Sequence, residues 1–132
     1  MISWDSLGNF LVYFGAALLA EAIFIVLYMA VTPHREFKLI KEGNVAASIS
    51  LAGAVIGFTL PLASVIIHSV SLIDMVIWSA VALVVQIAGF AVASLCLPGL
   101  SRKIEAGNSA AGVTVAAASL ALGIVNAASM SY

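Results

Sequence analysis

Few residues in this chain are of a type that could do chemistry, and two are set apart by position. Glu21 is the middle residue of the apolar run Phe10 to Thr32, and Gln86 is the middle residue of the run Met75 to Leu97. An ionisable side chain at mid-bilayer costs on the order of 3 kcal/mol even on lenient insertion scales, which makes it a functional-site candidate by default. Losing water disfavours a charged carboxylate, so Glu21 is expected to keep its proton unless a water path or a cation reaches it. The chemistry open to it is a proton or monovalent-cation relay. Tyr28, Gln86, Ser79 and Thr59 are the polar groups that could assist, and no second acidic residue sits in an apolar run. A direct Glu21 to Gln86 hydrogen bond is the structural alternative, because buried polar side chains also hold membrane helices together.

The elements that position these residues follow from composition. The chain has 132 residues, 64% hydrophobic and 8% charged, with a mean hydropathy of +1.20. Soluble domains run near 45 to 50% apolar and about 25% charged, so the chain belongs in a bilayer. A net charge of −1 leaves no basic field for nucleic acid. The uninterrupted apolar runs are 10–32, 45–67, 75–97 and 109–130. Each exceeds the roughly 20 residues a helix needs to cross about 30 Å of hydrocarbon. The expected class is an all-α, polytopic membrane protein of four transmembrane helices in one membrane domain, 1–132. Ala20-Glu21-Ala22 superficially resembles a signal-peptidase site, but Met1 to Phe10 carries no Lys or Arg, so the first span is read as retained.

Charge placement sets the expected orientation. Arg35, Lys38 and Lys41 lie between spans one and two, Arg102 and Lys103 between spans three and four, and these are all the Lys and Arg residues. The positive-inside rule puts both loops in the cytoplasm and both termini outside, in the periplasm. Trp4, Trp78 and Tyr132 then fall near the outer interface. His34 and His68 lie on opposite sides of the membrane, and Cys96 is the only cysteine, so neither a metal site nor an internal disulfide is expected. No cofactor is implied. No Ser-His-Asp arrangement, paired carboxylates or phosphate loop suggests an enzyme.

The chain also matches itself. Ile40-Lys41-Glu42-Gly43-Asn44-Val45-Ala46-Ala47 aligns with Ile104-Glu105-Ala106-Gly107-Asn108-Ser109-Ala110-Ala111, and one slipped residue upstream pairs Pro33 with Pro98 and Glu21 with Gln86. This is a tandem duplicated helical hairpin, repeat one 1–68 and repeat two 69–132. Both copies enter the membrane in the same direction, so their axis is expected along the membrane normal. Asn44 and Asn108 open the even spans and are expected to be helix N-caps, a binding role being the alternative.

Small and polar residues recur at steps of three and four along both even spans. Span two carries Ser50, Gly53, Gly57, Pro61, Ser64 and His68; span four carries Asn108, Gly112, Ala116, Ser119, Gly123 and Asn126. Such stripes allow helices to approach closely in lipid, within one chain or between copies in a homo-oligomer. Pro61 removes the usual partner of the Gly57 carbonyl and is expected to kink its helix.

Thr32-Pro33-His34-Arg35-Glu36-Phe37-Lys38-Leu39-Ile40, Asn44-Val45-Ala46-Ala47-Ser48 and Gly57-Phe58-Thr59-Leu60-Pro61-Leu62 together give the chain a family likeness, continued by Asn108-Ser109-Ala110-Ala111-Gly112. It resembles the YjfL family of small bacterial inner-membrane proteins, a domain of unknown function. The resemblance implies four spans, a duplicated unit and an inner-membrane location, and carries over no activity. It also implies neighbours among envelope-stress proteins, hence a partner docked on the cytoplasmic side. Two readings follow. One is a homo-oligomer that conducts or exchanges a small ion through Glu21. The other is a membrane anchor whose loop 33–43, with His34, Arg35, Lys38 and Lys41, recruits a cytoplasmic envelope-stress partner or anionic lipid.

Overall fold

The computed structural model describes residues 3–32 and 35–130, so Pro33, His34 and Tyr132 lie outside the described residues. Among the described residues the chain forms α1 (Trp4–Val31), α2 (Glu36–Lys41), α3 (Val45–His68), α4 (Leu72–Cys96), α5 (Leu100–Glu105) and α6 (Ser109–Ser129). Four of these helices, α1, α3, α4 and α6, are long and apolar enough to cross a membrane.

The helix ends are set by capping rather than by where the apolar runs begin. Ser3 accepts a hydrogen bond from the Ser6 amide, so α1 starts six residues ahead of the expected Phe10. Ser71 accepts from the Asp74 amide while Asp74 accepts from the Val70 amide, and α4 starts at Leu72 rather than Met75. A Ser with an acidic residue three positions on satisfies amides that a helix start would leave orphaned. Asn44 and Asn108 cap α3 and α6, at φ −74° and ψ 103° and at φ −72° and ψ 102°. Each follows a glycine of positive φ, Gly43 at 84° and Gly107 at 82°, a turn that a side chain would strain. The loops expected before these caps contain the short helices α2 and α5.

The centre of the bundle is the α3–α6 pair. Ala46 meets Gly112, Gly53 meets Ala116, and Gly57 meets Ser119 and Gly123, while Ser64 Oγ donates to the Ala127 carbonyl at 3.3 Å. Residue numbers rise together along both helices, so they run parallel. A Cβ at Gly53, Gly57, Gly112 or Gly123 would fall inside contact distance of the facing helix. The small-residue stripes therefore bring two backbones together without a hydrophobic driving force. α3 runs unbroken through Pro61. The carbonyl of Gly57, which Pro61 deprives of its amide partner, is the atom that a Cβ on Gly123 would strike first.

α1 and α4 pack around this pair. α1 turns only Ala17, Phe24 and Tyr28 fully inward. Phe24 stacks on Phe58 of α3 with centroids 4.6 Å apart, and Tyr28 meets Phe90 of α4 edge-on at 4.8 Å. Offset and edge-to-face rings at such distances add stability beyond their buried area.

Candidate functional site

Two polar clusters lie in the apolar body of the bundle, and they are separate. The first is internal. Gln86, 3% exposed, points from α4 toward α6, where its Nε2 donates to the Ser119 carbonyl at 2.9 Å. Asn126 donates through Nδ2 to the Ala82 carbonyl at 3.2 Å and lies 3.5 Å from Gln86 Oε1. Both amides are buried and partnered, which spares the cost of an unsatisfied polar group in hydrocarbon. This cluster fastens α4 to α6.

The second lies at the α1–α3 seam. Thr59 Oγ1 is 3.0 Å from Glu21 Oε2 and 2.7 Å from the Val55 carbonyl oxygen. A hydroxyl has one proton to donate. When Thr59 gives that proton to Val55, it offers only a lone pair to Glu21, and the carboxyl completes the contact by donating its own proton. When Glu21 is ionised, Thr59 must turn its proton to the carboxylate and release Val55. The protonation state of Glu21 thus sets the direction of a two-bond chain. The other carboxyl oxygen, Oε1, is buried with no hydrogen-bond partner. Glu21 as a whole is half-buried and Thr59 is exposed on the bundle surface.

The expected Glu21 to Gln86 bond is therefore not formed. The amide uses Ser119 and Asn126, the carboxyl uses Thr59, and the two groups serve different helix pairs. Ser79, proposed as an assistant, is buried with its hydroxyl unpartnered. Tyr28 is with Gln86 rather than Glu21. Both line a small cavity of about 30 Å3 together with Phe90, Ala93, Ser119 and Leu122. Its size is that of one or two waters. The Tyr28 hydroxyl is buried, with Ser50 of α3 and Glu36 of α2 as its polar neighbours.

Glu36 itself was missed. Among alternating charges it reads as a headgroup residue, yet it is 1% exposed, tucked under the first turn of α2. Arg35 and Lys38 share a surface groove with Leu39, Glu42 and Glu105, and Lys41 is exposed at the end of α2. Arg102 and Lys103 lie on α5. Asn44 does more than cap: its Nδ2 donates to the Ile104 carbonyl at 2.8 Å, which ties the α2 end of the chain to the α5 end. Cys96 is a free, exposed thiol at the end of α4.

A bundle of four apolar spans with buried polar groups between them defines a multi-pass integral membrane protein. Its chain matches the family model described as Domain of Unknown Function (DUF350) over residues 1–130. It is 43% identical over 128 residues to the UPF0719 inner membrane protein YjfL of Escherichia coli strain K12, covering 97% of each chain. It is 26% identical over 132 residues to the UPF0719 transmembrane protein YshE of Bacillus subtilis strain 168, covering 95% of this chain and 96% of that one. No solved structure matches. The chain belongs to the DUF350 family and is an integral inner-membrane protein.

Proposed function

We propose that the protein exchanges or conducts protons or small monovalent cations across the inner membrane, with Glu21 as the exchanging group. The observation that carries this reading is the seam site: a carboxyl in the middle of a span, one oxygen on Thr59 and the other unpartnered. A purely structural carboxyl in hydrocarbon would be expected to satisfy both oxygens, because each unsatisfied one costs free energy. The seam opens on the bundle surface, so the working unit is a homo-oligomer in which a neighbouring copy covers Glu21. No reaction chemistry is part of this reading, and the protein is not proposed as an enzyme. A periplasmic location of both termini is part of this reading, supported by the five Lys and Arg residues falling in the two opposite loops. Tandem duplication is supported by the parallel α3–α6 pair and by the matched caps at Asn44 and Asn108. Infrared difference spectroscopy of a pH titration tests the site: Glu21 must ionise reversibly, and a carboxyl that never does removes the relay.

A second reading, an anchor for a cytoplasmic envelope-stress partner, is favoured by the bond from Asn44 to Ile104, which joins the α2 and α5 ends into one surface. Crosslinking from Lys38 and Lys41 in whole cells tests it: a specific protein adduct supports the anchor, and its absence leaves the loop without that role.

A further inference from the structure

The basic end of the bundle carries three surface recesses, a small one of about 280 Å3 beside Lys103 and Asn108 and two larger ones of opposite character. One, about 330 Å3, is formed by Arg35, Lys38, Leu39, Glu42 and Glu105, so its two cations share it with two carboxylates. The other, about 500 Å3, opens between the last turn of α1 and the junction of α4 with α5. Val31, Phe90, Leu95 and Leu100 form its apolar wall, Ser101 and Arg102 form its polar end, and no acidic residue lines it. Arg102 is exposed and makes no ion pair with a described residue.

The recess lies where a span ends and the headgroup layer begins, so in a bilayer its apolar wall meets hydrocarbon and its polar end meets headgroups. A guanidinium at that level recognises phosphate through paired N–H donors, and basic pockets between spans on the cytoplasmic side are suited to anionic headgroups. The combination separates the two recesses. A phosphate at the first would meet Glu42 and Glu105; at the second the one charged side chain it would meet is Arg102, because Lys103 on α5 lines a separate recess beside Asn108.

We propose that the α1–α4–α5 groove binds one anionic glycerophospholipid, its acyl chain along Phe90 and Leu95 and its phosphate on Arg102. The site is independent of Glu21 and of the ion-exchange reading. It also moves the lipid contact from the α2 loop, where charge alone would place it, to α5.

Native mass spectrometry of the purified full-length protein, given equal amounts of phosphatidylglycerol and phosphatidylcholine, tests the proposal. The wild type should retain phosphatidylglycerol in preference. Arg102→Gln should lower that retention about fivefold, the equivalent of roughly 1 kcal/mol for one basic residue near an anionic lipid. Lys38→Gln should leave it unchanged. Ala91→Trp, which fills the wall of the groove from an exposed position, should lower retention of both lipids, and it carries the test if Arg102→Gln folds poorly. Equal retention of the two lipids by the wild type would overturn the proposal. So would phosphatidylglycerol binding that survives both Arg102→Gln and Ala91→Trp.

Discussion

Glu21 and Gln86 are the central residues of their apolar runs, yet they bond in different directions: the carboxyl to Thr59 of α3, the amide to the Ser119 carbonyl of α6. One group is tied down at both ends inside the bundle. The other keeps an oxygen free at a seam between helices. The division of labour proposed above rests on this difference, and it predicts that the two residues respond differently to substitution.

Gln86→Leu should destabilise without abolishing ion movement. It removes the donor to Ser119 and leaves Asn126 with one fewer neighbour, a loss of about 0.6 to 2 kcal/mol by the range measured for polar contacts between membrane helices. Thermal unfolding in detergent reads the loss, and flux in the same preparation should persist.

Thr59→Val keeps the shape of the side chain and deletes the hydroxyl. The carboxyl of Glu21 then loses its contact with Thr59, so its infrared C=O band should shift. Ion flux should fall, while stability should change by only about 1 kcal/mol, the usual size of one hydrogen bond. An unchanged band would mean that Thr59 and Glu21 do not interact.

The α3–α6 contact predicts a sharp contrast among glycines. Gly57→Val and Gly123→Val each force a side chain into the facing backbone, and each should cost more than about 2 kcal/mol, in the upper range for overpacking. Gly8 and Gly15 of α1 have open space where a Cβ would go. Changing either to Ala should be neutral or stabilise the helix by up to about 1 kcal/mol. Unfolding of the four variants in parallel checks the ranking.

Much of this was legible in the sequence because helix periodicity survives even where every residue is apolar. The buried residues Ser50, Gly53, Gly57 and Pro61 of α3, and Gly112, Ala116, Ser119, Gly123 and Asn126 of α6, fall on the stripes that the spacing marks. What was not legible depends on relative rotation between helices. Periodicity places Glu21 and Thr59 on their own helices but does not say that they meet, nor that Gln86 turns to Ser119. Glu36 escaped for a related reason: six residues make a helix too short for a periodic signal, so nothing marks which of its side chains points inward. His34, part of the same loop, lies outside the described residues.

Asn44 and Asn108 offer a further check, since both cap and only Asn44 also donates to Ile104 and Glu105. Asn108→Ala should cost about 1 kcal/mol, an ordinary cap. Asn44→Ala should cost about 1 kcal/mol more, because the Ile104 carbonyl loses a donor as well. Equal losses in thermal stability would show that the tie between the two ends contributes nothing.

The central claim is that Glu21 exchanges an ion, and proteoliposomes test it most directly. Proton and potassium flux should be measured under an imposed gradient and potential, with wild type beside Glu21→Gln, both checked for insertion and folding. Flux is expected in the wild type and in Gln86→Leu, and its loss in Glu21→Gln. Equal flux in wild type and Glu21→Gln, or none from correctly inserted wild type, would contradict the claim.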